Sequence, residues 1–148
     1  MKRHLLLVAM AILLTQLSYA QKGWGTIGSV HDGKTTLTID RAATLKAYNA
    51  NLLKHSGIDG QFTDFKLWPI EGGNYALVFS GTTYKSTFFV KAEGTDLRAM
   101  LGTSCTTTDC SSEPRGCIVK YDGGDIGYCS PCANEGKCTK TSTSEELF

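Results

Sequence analysis

Cys105, Cys110, Cys117, Cys129, Cys132 and Cys138 are the residues with the widest choice of chemistry, and no cysteine precedes them. Thiols at such spacings serve as disulfide staples, as a thiolate metal centre or as a redox pair. Their surroundings favour staples. The stretches TSCTTTDCSSEPRGC and YCSPCANEGKC are polar and glycine-containing, too poor in apolar matter to offset a backbone entropy cost of about 1–2 kcal/mol per residue. An even cysteine count behind an export signal predicts three bridges. Sequence does not choose among the pairings, except that Cys129 and Cys132 would close a very small ring, so each is expected to pair elsewhere.

The competing uses of these thiols fit less well. Cys129-Ser-Pro-Cys132 has C-x-x-C spacing, but a redox thiol draws its low pKa from a helix that follows, and Ala-Asn-Glu-Gly-Lys makes a poor one. Zinc held by Cys117, Cys129, Cys132 and Cys138 would use a single C-x-x-C where a ribbon has two. Haem attachment needs His after the second cysteine, and Ala133 stands there. No cofactor and no metal ion is expected.

Acid–base chemistry has few candidates. After the N-terminal leader only His31 and His55 remain as bases near neutral pH. No G-x-S-x-G elbow, H-E-x-x-H motif or phosphate-binding glycine loop occurs. Asp59, Asp64 and Glu71 are carboxylates of the type a glycosidase pairs, and Asp122 and Asp125 are oxygen donors without EF-hand spacing; turn chemistry accounts for both sets. No catalytic residue is expected. Aromatic side chains are the remaining recognition elements. Trp24, Trp68, Tyr75, Phe79, Tyr84, Phe88 and Phe89 gather in β-favouring runs, where they serve either as core or as an exposed platform. Trp68 alternates against Phe65 and Leu67, which places it on the opposite face. Trp68 and Tyr84 are therefore the expected ligand contacts.

Residues 1–20, MKRHLLLVAMAILLTQLSYA, read as a secretory signal peptide: Lys2 and Arg3, then an apolar run, then Ser18-Tyr19-Ala20 before the cut. The apolar run is about ten residues, short of the roughly 20 that span a membrane. Cleavage after Ala20 removes two of the 15 basic residues and leaves 13 against 14 acidic ones, a net charge of −1. That balance, with no basic run, argues against nucleic acid as a partner. The expected product is a secreted or periplasmic monomer, not inserted in a membrane.

The elements that position these residues follow from periodicity. Asp-Gly at 32–33 between β-favouring runs predicts a hairpin. Asp40 is an N-cap for the helix RAATLKAYNANLLKHS, with Ala42, Leu45, Tyr48, Leu52 and Leu53 on one face, Lys54 and His55 in the last turn and Gly57 as C-cap. QFTDFKLWPI is an edge strand because of Pro69, YALVFS a central strand, and YKSTFFVK its hairpin partner. Thr95 is expected to cap a short helical turn, DLRAML. Ile118 to Cys129 reads as a small hairpin around Gly-Gly, and KTSTSEELF as a fraying tail.

These elements make an α+β protein, one amphipathic helix on an antiparallel β-meander at 21–102, with a small disulfide-rich appendage at 103–148. The order is similar to the cystatin-like fold, a helix cradled by a curled sheet, by analogy of fold alone and with no functional residue carried over. The expected function is that of an exported binding or structural protein contacting a protein, the envelope or a carbohydrate, an inhibitor among the possibilities. The alternatives from other classes are a small extracytoplasmic hydrolase or thiol-redox enzyme, and a cysteine-based metal-binding domain.

Overall fold

The computed structural model describes residues 23–123 and 127–148. The expected signal peptide at 1–20, its cleavage point and Asp125 lie outside them. The chain is α+β, with one long helix and a large antiparallel sheet. β1 (Trp24–His31) and β2 (Lys34–Leu37) form the expected hairpin. Asp32 and Gly33 both take left-handed φ, 50° and 76°, as a two-residue turn between twisted strands requires.

Helix α1 (Arg41–Ser56) starts where the Asp40 side chain accepts the Ala43 N–H at 2.7 Å, and ends at Gly57, whose N–H donates to the Leu53 carbonyl. Its packing face differs from the expected one. The buried stripe is Thr44, Tyr48 and Leu52, spaced by four, while Ala42 is exposed and Leu53 is 51% exposed. Leu53 lies about 100° round the helix from Leu52, so hydrophobicity alone placed it on a face that geometry does not bury.

β3 (Asp64–Pro69) pairs only with β4 (Tyr75–Ser80), as an edge strand ending in Pro69 should. A single 3-10 turn, Glu71–Gly73, joins them. β4 pairs in turn with β5 (Lys85–Glu93). The expected helical turn after Thr95 is instead strand β6 (Asp96–Met100), antiparallel to both β5 and β1. Leu97 and Ala99 are buried while Arg98 is half-buried, a two-residue alternation that suits the sheet and fills the gap between β5 and β1.

The sheet then continues past residue 102, where the sequence suggested a domain boundary. β7 (Thr103–Thr107) pairs with the first half of β5, on the same side as β6. Between the pairs Val90↔Ala99 and Thr87↔Cys105, β5 advances three residues and its partner six. The extra residues form a bulge at Leu101-Gly102 that bends the sheet. β6 leads outward to β1, whereas β7 leads to β10 (Thr139–Ser142). Gly102 is needed at this bend because a Cβ there would stand 2.6 Å from the Thr143 carbonyl oxygen.

The inner face of the sheet meets α1. Tyr48 sits at its centre, with ring centroids 4.5 Å from Phe79, 4.9 Å from Phe88 and 5.2 Å from Phe62. Its hydroxyl lies 2.5 Å from Ser86 Oγ, which is 2.7 Å from Thr106 Oγ1. Burial pushes the phenol's pKa up, against the smaller pull of these hydroxyls.

The stretch expected to fray is anchored. Beyond β10, the Thr143 N–H donates to Gly102 and the Leu147 N–H to Leu101. Leu147 is fully buried, and Phe148 packs on Phe88, Phe79 and Tyr48 at 4.8, 5.5 and 6.4 Å. From the helix, Asn51 Nδ2 donates to the Leu147 carbonyl at 3.2 Å and Lys54 Nζ to Glu145 Oε2 at 2.7 Å.

Glu145 supplies a pH test of this docking. The hydrogen bond from Lys54, then its charge, and the weaker contact with His55 hold the Glu145 carboxyl below its ordinary 4.5. A depressed folded pKa contributes stability above the unfolded value and loses it as pH falls through the folded one. The melting temperature of Glu145→Gln should therefore lie below that of the unmodified chain above about pH 4.5, and the gap should close in more acid solution. Thermal melts of both proteins across that range are the measurement; a constant gap would mean the charge is irrelevant. Both partners are well exposed, so the shift will be small.

Candidate functional site

The outer face of the sheet carries a second apolar cluster, built by Phe89 of β5 and Met100 of β6 with Cys105, Cys110, Cys117, Val119 and Cys132, and Trp24, Ile70 and Tyr121 packed against it. Three disulfides, Cys105–Cys129, Cys110–Cys132 and Cys117–Cys138, hold the cysteine segment there. Their Cα separations of 5.7, 6.2 and 6.0 Å suit such bridges. As expected, Cys129 and Cys132 pair elsewhere, first with fourth, second with fifth, third with sixth. Bridges of this kind point to an oxidising, extracellular environment. Among the described residues no helix is long and apolar enough to cross a membrane.

Polar contacts fasten the same segment to β5. Thr87 Oγ1 donates to the Cys117 carbonyl at 2.5 Å, and Lys85 Nζ donates to the Glu113 carbonyl. Burial lowers the Lys85 pKa, with the Glu113 charge opposing. Within the segment, the Asp109 carboxylate accepts the Lys137 N–H at 2.9 Å, and that bond, helped by the Thr108 hydroxyl, keeps its pKa low. The expected small hairpin is present as β8 (Ile118–Lys120) and β9 (Tyr128–Ser130).

A cleft of about 900 Å³ opens between this segment and the β3–β4 connection. Ile70, Glu71 and Asn74 form one wall, Phe89 and Tyr121 contribute aromatic surface, and Arg115, Ile118 and Lys120 form the other wall. Trp24, Phe89 and Tyr121 support one another edge to face or tilted, with centroids 5.3 to 6.1 Å apart. Glu71 and Lys120 approach to 3.7 Å across the cleft, an exposed pair that adds little stability. Arg115 is exposed at the rim and has no acidic partner among the described residues. The arrangement is a largely apolar, aromatic-lined cleft with exposed charges at its mouth, the usual composition of a recognition site.

The two expected ligand contacts are not brought together. Trp68 is 38% exposed; it lies opposite Ala76, which lies opposite Phe89, so all three share the outer face. Trp68 is thus two residues along β3 from Ile70 and the cleft. Tyr84 instead packs, half-buried, against the helix-side core. It precedes β5 on the turn from β4, and the turn directs it inward. Sequence reasoning missed Arg115, Lys120 and Tyr121, whose only signal was their position within the stapled loops.

The remaining candidates are dispersed. His31 is exposed at the end of β1, and His55 lies 3.1 Å from Glu145 at the end of α1. Asp64 pairs with Arg41 at the start of β3, and Glu71 lies beyond its far end. The six-residue strand holds them roughly 20 Å apart, well beyond the spacing of a glycosidase pair. Asp59 accepts a hydrogen bond from Gln61. Of the sulfurs, those of Cys110, Cys117 and Cys132 lie within 4.8 Å of one another, the grouping a metal ion would use if they were thiolates. Cys129, one of the four cysteines weighed for zinc, is bonded to Cys105 and outside that group. No family model, no curated protein and no solved structure matches this chain.

Proposed function

We propose that this chain is an exported binding module, secreted or periplasmic, whose contact surface is the cleft between the outer sheet face and the stapled segment, with Trp68 at its margin. One observation carries the reading: a rigid, disulfide-held wall faces an aromatic-lined cleft of about 900 Å³. A cleft fixed by cross-links binds without spending much of its interaction energy on ordering loops. The partner is a protein or a carbohydrate that offers a flat apolar face to Tyr121 and Phe89 and an acceptor to Arg115.

Retention on a panel of immobilised polysaccharides and peptides tests this. Arg115→Glu and Trp68→Ala should each weaken the retained interaction by about tenfold or more, whereas Lys46→Glu, on the exposed side of α1, should leave it unchanged. Trp68→Ala should cost only about 1–2 kcal/mol of stability, below the roughly 3–5 of a buried aromatic. Equal binding by all three variants, or a Trp68→Ala loss in the buried range, would remove the cleft as the contact surface.

A further inference from the structure

We propose that Cys110, Cys117, Cys132 and Cys138 form an alternative staple: when their two disulfides are reduced, the four thiolates hold one thiophilic divalent cation of the zinc class. The two bridges lie sulfur against sulfur. Cys117 Sγ and Cys132 Sγ, from different bridges, are 3.5 Å apart, and with Cys110 Sγ they form a group within 4.8 Å. Cys138 Sγ lies outside that group but is bonded to Cys117, and as a thiolate it is the fourth ligand once its side chain turns inward. A tetrahedral zinc centre with bonds of about 2.3 Å spaces its sulfurs about 3.8 Å apart. Opening each bridge by roughly 2 Å, with Cys138 Sγ turned inward, reaches that spacing.

The surroundings are those of a centre rather than of two inert cross-links. Cys110, Cys117 and Cys132 are buried, which penalises free thiolates and favours a bound cation that neutralises them. The Thr107 hydroxyl, whose proton goes to the Lys137 carbonyl, lies 3.4 Å from Cys110 Sγ and 4.0 Å from Cys132 Sγ and is a polar neighbour of both sulfurs. Three of the four backbone segments are also brought together by bonds that do not involve sulfur: Thr87 to Cys117, Thr107 to Lys137 at 2.8 Å, and Asp109 to Lys137. The third bridge, Cys105–Cys129, is outside the group.

The chemistry balances with a dithiol as reductant. Each bridge takes up two electrons and two protons while the dithiol becomes its own disulfide. The cation then displaces the four thiol protons and keeps its oxidation state. The wall of the cleft therefore keeps one shape in oxidising and in reducing surroundings. This inference does not depend on what the cleft binds.

Cobalt(II) titration of the full chain, reduced without oxygen by a water-soluble phosphine, is the test. The reduced protein should develop the visible absorption of a tetrahedral thiolate site, saturating at one equivalent, and the oxidised protein should develop none. Alkylation followed by peptide mass mapping should modify Cys110, Cys117, Cys132 and Cys138 of the metal-free reduced chain and leave those four unmodified in the loaded one. Cys105→Ser/Cys129→Ser should retain the absorption and Cys110→Ser/Cys132→Ser should lose it. The mapping needs no variant, so a variant that fails to fold leaves the test intact. No absorption from the reduced chain, or alkylation of Cys110, Cys117, Cys132 and Cys138 in the loaded chain to the same extent as in the metal-free one, overturns the proposal.

Discussion

Removing Leu147 and Phe148 should destabilise the protein by about 5 kcal/mol, close to the whole stability of a marginal domain. Leu147 is fully buried, and a buried leucine truncated to alanine costs roughly 2–5 kcal/mol; Phe148 adds its contacts with Phe88, Phe79 and Tyr48. The loss is not confined to the tail. Without these side chains the space between α1 and the sheet is open beside Tyr48, whose hydroxyl bond to Ser86 becomes accessible to water. Urea unfolding followed by circular dichroism measures the change, with Leu147→Ala as the milder companion. A loss below about 1 kcal/mol would mean that the tail only rests on the core, because a true core truncation falls well above that.

Reduction of the three disulfides, with metal excluded, should open 108–138 while α1 and β3–β7 stay folded. Each bridge closes a loop of 21 to 24 residues, for which chain entropy predicts about 3 kcal/mol. The loops overlap, so the three do not simply add. The second apolar cluster consists largely of the cysteines themselves with Phe89, Met100, Val119 and the packed Trp24 and Tyr121, so the segment has little to hold it once they are apart. β7 is different: it pairs with β5 on one side and β10 on the other, and β10 leads to the buried Leu147. Hydrogen exchange read by mass spectrometry should show protection lost in β8 and β9 and kept in β7. Simultaneous loss of helical signal and β7 protection would show that the bridges support the whole sheet instead.

Local pattern specifies one part of this fold and leaves another part open. The Asp40 cap, the helix to Gly57, the Asp32-Gly33 hairpin and the strands around YALVFS were legible, because each rests on residues within a few positions of one another. Cysteine oxidation was legible too, since an even set in a polar segment has few other ways to be held. β6 was not. DLRAML matches a helical turn and a strand equally well, and its state was decided by the vacancy between β5 and β1, which no local feature announces.

The tail lies beyond local pattern for the same reason. Leu147 and Phe148 are two apolar residues after a polar run, without periodicity, and only the pocket beside Tyr48 gives them a place. The cleft belongs to this second class: Ile70, Phe89, Arg115 and Tyr121 come from distant parts of the chain, joined by the sheet register and the bridges. Sequence by itself therefore determined the caps, turns, strand alternation and the need for disulfides, all of which are short-range or compositional. Tertiary structure alone decided the path across residue 102, the disulfide pairing, the burial of the tail and the cleft, because these are set by long-range pairing and by which surfaces find a partner to exclude water.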